Sequence, residues 1–413
     1  MKITEQNAVL WGDDIPYLYG LRQKGLTAFN KQGFPNSKNE SWKYSYFKEE
    51  ELSNPKIDDT PHECDGHCHE QSKLPFAAYQ IHFCNGKLTT EDFDLPQGIS
   101  VKPLAEAIFD NDIKQYLNKS FELDDFPFAA LNTAFLEQGI VLVAERGAVA
   151  DKPIYIKYHQ HNDVNLLINI RNIMIIEKQA KLEIIEHFDG EDGTQCFNNV
   201  VNEIYVGVDS ELNYYKWQQE AFDTHHITLN CVNIKENGKF KAFYALNECK
   251  QARSESKIML LQRGATAEVN GIYRLTKCGK SDITTNMQHK SEQTYSNQLV
   301  KGVIDGKAKG IFQGQIHIAP DAQQTQGYQL HKALLLSDDG EVNCKPELEI
   351  FADDVKCSHG ATCGDLDEEQ LFYMQARGIP LEEARRILVE AYLNEALDKI
   401  SNSEIKEWIK SGF

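Results

Sequence analysis

No stretch of this sequence approaches the roughly 18 unbroken apolar residues that a membrane span requires. No lysine- or arginine-rich face stands out either, and a formal charge of -19 would repel a phosphate backbone, so nucleic acid is not an expected partner. The opening residues, MKITEQNAVLWGDD, carry one lysine but neither an apolar run nor a small-residue cleavage site. They do not read as a secretory leader, and the cytoplasm is the expected location. The ten cysteines are scattered along the chain instead of being crowded into a short framework, which suits free thiols in a reducing compartment. G-x-G-x-x-G, H-E-x-x-H and G-x-S-x-G are all missing, and CGKS at 278–281 has Arg274 where a phosphate loop needs glycine. Nucleotide chemistry, zinc proteolysis and the esterase elbow therefore lack support, and any use of ATP falls to another subunit.

What the chain has instead is a change of texture along its length. Its 413 residues, 41% hydrophobic and 25% charged, exceed the usual single-domain size and can bury a large core. Residues 1–125 mix helical periodicity with loops, with Ile15, Leu18, Leu21 and Leu26 near one stripe that ends at Gly33. Within them, residues 54–75 show no period and read as a long loop rich in proline, aspartate and histidine. From 126 to 363, strand-like runs such as VLVAERG and NIMIIEKQAKLEIIEHF follow one another without helices. Turn signals at 177, 207, 235 and 262 recur at roughly 28-residue intervals, as expected of stacked β coils. A β-solenoid fits that spacing, with a large sandwich as the alternative. Residues 364–413 return to the helical period: Asp365 with Glu368 reads as a capping box and Gly378 as a left-handed stop. Pro380 opens a helix with Leu381, Ala384, Ile387, Leu388, Ala391 and Leu397 on one stripe. Ser401 with Glu404 then caps a last helix that sets Ile405, Trp408 and Ile409 on one face.

Two stretches could carry chemistry. In KCSHG the strand period puts Cys357 and His359 on one face with Ser358 opposite, their Cα atoms about 6.6 Å apart. Thiolate and imidazole are ligand types that iron and iron-sulfur clusters accept, and a pair leaves positions for a partner to fill, which points to a shared or transient site. The competing readings are two core residues, or a Cys-His nucleophile, which needs direct contact and an orienting acceptor. PHECDGHCHE offers His62, Cys64, His67, Cys68 and His69 as a second inventory for zinc or iron. Its C-x3-C spacing differs from that of structural zinc knuckles, so a solvated loop is the plain alternative. Cys363 lies past Gly360, where the chain is expected to turn toward the next helix. Asp353 and Asp354 could be the paired carboxylates of a glycan-cleaving β-solenoid, but strand neighbours face opposite ways, so a turn or polar edge fits better.

The run KALLLSDDGEVNCKPELEIFADDVKCSHGATCGDLDEEQLFYMQARGIP, residues 332–380, closely resembles the SufB/SufD family of the SUF iron-sulfur cluster assembly machinery. GFPNSKNESWKYS resembles that family's N-terminal tryptophan motif, and FAALNTAFLEQGIVLVAERGAVADKPIYI the entry to its β core. The length, the helical N-terminal region and the CSHGAT wording look like the SufD branch rather than the longer SufB. The resemblance implies a mainly β protein with a right-handed parallel β-helix core between an N-terminal helical region and a C-terminal helical bundle. It implies a non-catalytic scaffold that pairs with SufB and docks the ATPase SufC, or a homodimer when alone. It also implies that His359, with Cys357 before it, belongs to a nascent cluster site shared with SufB, so that the expected cofactor is a transient iron-sulfur cluster at the partner interface, with none stably bound. Two features depart from the family pattern: Cys363, where a small apolar residue is expected, and the His/Cys loop at 62–69. A β-helix carbohydrate-active enzyme and a purely architectural subunit stand as the competing readings.

Overall fold

The β-branched and aromatic runs of the sequence become strands that alternate between two sheets, each pair of strands making one coil. The computed structural model describes residues 10–47, 73–161 and 164–413. Its strands are β1 (Tyr79–Cys84), β2 (Lys87–Leu88), β3 (Ile99–Pro103), β4 (Ile140–Ala144), β5 (Ile154–Gln160), β6 (Val164–Ile176) and β7 (Lys181–Gly190). Then follow β8 (Gln195–Val206), β9 (Glu211–Gln219), β10 (His225–Ile234), β11 (Lys239–Asn247), β12 (Gln251–Leu260) and β13 (Thr266–Leu275). The last are β14 (Lys280–His289), β15 (Tyr295–Ile304), β16 (Lys309–Ile318), β17 (Thr325–Leu335), β18 (Glu341–Ile350) and β19 (Val355–Gly364). One sheet runs β18-β16-β14-β12-β10-β8-β6-β4-β3 and the other β19-β17-β15-β13-β11-β9-β7-β5-β1-β2. The result is a mainly β protein, a parallel β-solenoid of about seven turns with helices before and after it.

The period expected from the turn signals is the coil itself. From β4 to β19, stacked partners lie from 26 residues apart (His226↔Ala252) to 32 apart (Lys309↔Glu341). At the corners near 177, 207, 235 and 262 one residue per coil adopts a left-handed backbone: Gln179, Asp209, Asn237 and Gly264. The first three of these amides reach up to the next coil: Gln179 N–H to Val208 C=O at 2.9 Å, Asp209 N–H to Glu236 C=O at 2.9 Å and Asn237 N–H to Arg263 C=O at 3.0 Å. At three of the four corners the residue is aspartate, asparagine or glycine, which tolerate that conformation and made the turn signals visible.

Alternation puts every second side chain into a continuous lumen core that runs from Ile81 and Phe83 to Ile316 and Ile318. The outer faces are covered by helices. Helix α1 (Pro16–Gln32) buries Leu18, Arg22, Gly25, Ala28 and Phe29, a stripe rotated from the expected one. The shift follows from Gly25, where a Cβ would come within 2.6 Å of the Ala134 amide and so would block the close approach of a second helix. The short helices α2 (Leu104–Ala107), α3 (Asn111–Lys114) and α4 (Pro127–Ala134) complete that layer over the first sheet. Three C-terminal helices, α5 (Glu368–Ala376), α6 (Leu381–Leu397) and α7 (Ser403–Lys410), flank the second sheet, where Val389, Leu393, Ile405 and Ile409 pack on Tyr215, Trp217 and Leu299.

Several local expectations are corrected. Strand β19 runs on to Gly364 instead of turning at Gly360, so Cys363 lies within it, and the cap of α5 falls later. Asp367, not Asp365, accepts from the Glu369 and Gln370 amides. Asn402 rather than Ser401 caps α7. The buried stripe of α6 is Ala384, Val389, Leu393, Ala396 and Leu397, with Leu381 and Ala391 exposed, because Glu395 is drawn to Lys301 and Lys332 on the sheet. Strands also begin at Tyr79, ahead of the stretch where the sequence placed the β body.

The tryptophan motif becomes a strap across the outer face of the first sheet. Trp42 lies 4.0 Å from the Arg253 guanidinium, which donates to the Ser41 carbonyl at 2.9 Å and pairs with buried Asp282 at 2.6 Å. Gln251 donates to the Ser45 carbonyl, Gln313 to that of Ser41, and Lys345 pairs with Glu40 at 2.7 Å. One short segment thereby touches β12, β14, β16 and β18.

Candidate functional site

The two ends of the solenoid differ. At the start, the sheets finish in antiparallel partners, β2 on β1 and β3 on β4, which stop the stacking. At the other end β18 and β19 are the terminal strands of their sheets, pairing, among the described residues, only inward with β16 and β17. Each is ten residues long and presents one row of backbone donors and acceptors to whatever comes next. At that end Val342, Cys344, Leu348, Val355 and Cys357 are only partly buried against the core, by the described residues.

His359 stands on this last strand and is exposed. Cys357 packs toward the lumen core, and alternation places His359 on the same side, as the strand period predicts, stacked over Gln329 as Cys357 is over Gly327. Burial pushes the Cys357 thiol up, partly offset by a hydrogen bond from the Gly327 backbone. Cys344, on the lumen side of β18, is pushed up by burial to about 11. Cys363 is exposed; its thiol is raised by what burial it has and by the Asp365 carboxylate. These thiols keep their protons near neutrality, so a metal that binds them must displace protons. Among the described residues, no three His, Cys, Asp or Glu side chains converge as metal ligands.

Cys344 was missed in the sequence. Its signal was the alternation in EVNCKPELEI, but only the pairing Phe312↔Cys344 shows that this strand closes the same open end as β19. His62, Cys64, His67, Cys68 and His69 lie outside the described residues. Asp353 and Asp354 occupy the exposed turn between β18 and β19, the polar edge expected for them. In the CGKS loop the Glu248 carboxylate accepts from the Thr276, Lys277 and Gly279 amides at 2.7–3.0 Å, so the donors a phosphate would need are already taken.

Beside this end, α5 buries none of its residues; Phe372 is 73% exposed and Tyr373 58%. A groove of about 1030 Å³ lies beside α5 and α6 where they meet the solenoid, lined by acidic side chains such as Asp305, Asp365, Glu368 and Glu382 and by basic ones such as Arg274, Arg385 and Arg386.

Residues 159–392 match the family model described as the SufBD core domain of SUF-system FeS cluster assembly, and residues 3–156 that of the SufBD protein N-terminal region. The chain belongs to the SufBD family. Its relatives include an iron-sulfur cluster assembly SufBD family protein of Synechocystis, 26% identical over 97% of this chain and 91% of that one. Iron-sulfur cluster assembly protein SufD of Escherichia coli is 26% identical, covering 94% and 90%. Protein ABCI7, chloroplastic, of Arabidopsis thaliana is 29% identical over 78% of this chain and 69% of its own. The SufBD core match includes β18, β19, α5 and most of α6, so the open end and the exposed helix lie inside the family domain.

Proposed function

We propose that this SufBD chain is a non-catalytic scaffold subunit that pairs through its open end with a SufB-type partner and docks the ATPase SufC on its C-terminal helices. The observation that supports it most is the conjunction at the last coil: two ten-residue strands whose outer edges have no partner among the described residues, with His359 exposed on one of them. A partner strand added to β18 or β19 satisfies the free backbone row and covers the half-buried lumen residues, placing His359 and Cys357 at the seam. The imidazole and the thiol then supply part of a ligand set that the partner completes, and the iron-sulfur cluster is cargo held by few bonds from each side. Phe372 and Tyr373 offer the apolar surface for the ATPase. Cys231, Cys249, Cys278, Cys344, Cys357 and Cys363 are free thiols, which supports a reducing, cytoplasmic setting. Among the described residues, no helix is long and apolar enough to cross a membrane.

The test is anaerobic reconstitution of the complex of this chain with SufB and SufC, followed by visible absorbance. His359→Ala is expected to leave the complex assembled and to abolish cluster build-up, with Cys357→Ser giving a partial loss. Full cluster yield in His359→Ala would refute the site.

A further inference from the structure

One coil beneath His359, the lumen holds a buried acceptor that nothing in the chain satisfies. Gln329, the stacked partner of His359 on β17, faces the core and is 2% exposed. Its Nε2 donates to the Glu347 carbonyl on β18 at 3.2 Å, and because a carbonyl only accepts, that contact fixes which end of the amide is oxygen. The oxygen, Oε1, is buried and has no hydrogen-bond partner among the described residues, a condition that burial makes costly. Gly314 on β16 keeps its place open, since a Cβ there would come within 2.2 Å of that oxygen. One coil further in, Gln298, the stacked partner of Gln329, accepts from Thr285 at 2.5 Å. An amide oxygen accepts two bonds, so a donor from Gln298 still leaves one lone pair of Gln329 for the coil above. Side chains bridge such one-coil steps elsewhere in this solenoid. Asn172 donates to its stacked partner Asn202, and Asn202 to Asn230, at 2.9 Å each. Histidines do the same: His159 Nδ1 meets its stacked partner Asp189 at 2.7 Å, and His187 Nε2 reaches Gln219 Oε1 on the next coil at 3.0 Å.

We propose that Gln329 is the positioning residue for His359: when a partner closes the open end, the imidazole settles into the lumen mouth and donates one ring N–H to Gln329 Oε1, which turns the other ring nitrogen toward the metal. This rests on the reading of His359 as a cluster ligand. A neutral imidazole offers a lone pair at one nitrogen only while the other carries the proton, so an acceptor fixed under the ring selects the tautomer and sets the ring's direction. It also polarises the ring and makes the ligating nitrogen a better donor. A neutral amide does this more weakly than a carboxylate would, which suits a cargo that has to leave. Gln329 itself touches no metal; it acts through His359.

The full-length chain is assembled with SufB and SufC, checked by gel filtration, and reconstituted anaerobically with iron and sulfide. Two quantities are then read: the rate at which a ferrous chelator strips the cluster, and the nitrogen coupling of the reduced cluster in pulsed EPR. Gln329→Met, which keeps the length of the side chain and removes the acceptor, is expected to lose its cluster about 10- to 100-fold faster than wild type and to shift the nitrogen coupling. Gln329→Glu restores an acceptor and should hold the cluster at least as long as wild type. Wild-type release with an unchanged coupling in assembled Gln329→Met overturns the proposal. Should that variant not assemble, Gly314→Ala, which retains both side chains and pushes Oε1 from its place, is judged by the same two readouts. His359→Ala is run beside them. No cluster in His359→Ala together with wild-type behaviour in Gln329→Met sinks the positioning role alone, whereas full cluster yield in His359→Ala sinks the ligand reading and this role with it.

Discussion

Glu186 is buried in the lumen among donors: Tyr158 at 2.9 Å, Asn172 at 3.1 Å, Asn202 at 2.8 Å and Tyr214. Burial raises its carboxyl in spite of those hydrogen bonds. A raised acid stabilises the fold below its unfolded value and loses that contribution as pH climbs through the folded one. Glu186→Gln sets an amide nitrogen against a donor and should cost about 1–3 kcal/mol. The gap between variant and wild type is expected to narrow as pH rises above the carboxylate range, which denaturant titrations at several pH values would reveal. The histidines have the opposite sign. Burial lowers His225, His289 and His331 to about 4, each from 6.5. Kept neutral in the fold, they favour it above pH 6.5, and stability should drain away between pH 6.5 and 4. At this scale the sequence revealed what the strand period alone decides, namely that Cys357 and His359 share a face. It could not reveal Cys344 or Glu186, because their neighbours come from other coils and no residue encodes which position of the next coil it will meet.

Helix α5 is the element whose burial least explains its composition. Its Asp367 cap makes only exposed contacts, so Asp367→Ala should cost about 1 kcal/mol of local helix stability, read as faster amide exchange in residues 368–376, with little change in global unfolding. Truncating Phe372 or Tyr373 to alanine removes no core contact, so the melting temperature should hold; if these rings contact SufC, each change should weaken binding by about 2 kcal/mol in calorimetric titration. Unchanged affinity in the double variant would exclude this face as the docking surface. The helices themselves were legible from their period, and the Gly378 stop, with φ 86°, fell where expected. Their caps slipped because β19 uses as strand the residues that the sequence assigned to a turn. A strand that borrows its partner's ladder can outlast its own turn signal.

The whole molecule is a stack with one closed and one open end. In the isolated chain, amide exchange should be slowest in the central coils and fastest, among the solenoid strands, in β18 and β19; adding SufB should slow those two selectively. The roughly 28-residue recurrence made the stacking legible, since a repeated corner needs a repeated left-handed residue. Which end stays open was not, because capping depends on the antiparallel arrival of β2 and β3 rather than on local composition. The strap adds a matter of timing. Glu40 and Lys345 are 305 positions apart. On a ribosome the segment around Trp42 emerges early, yet Asp282, Gln313 and Lys345 appear only as the last coils are made. The clasp can close over the final strands only when translation has passed them, so a chain stalled short of β18 cannot fasten it.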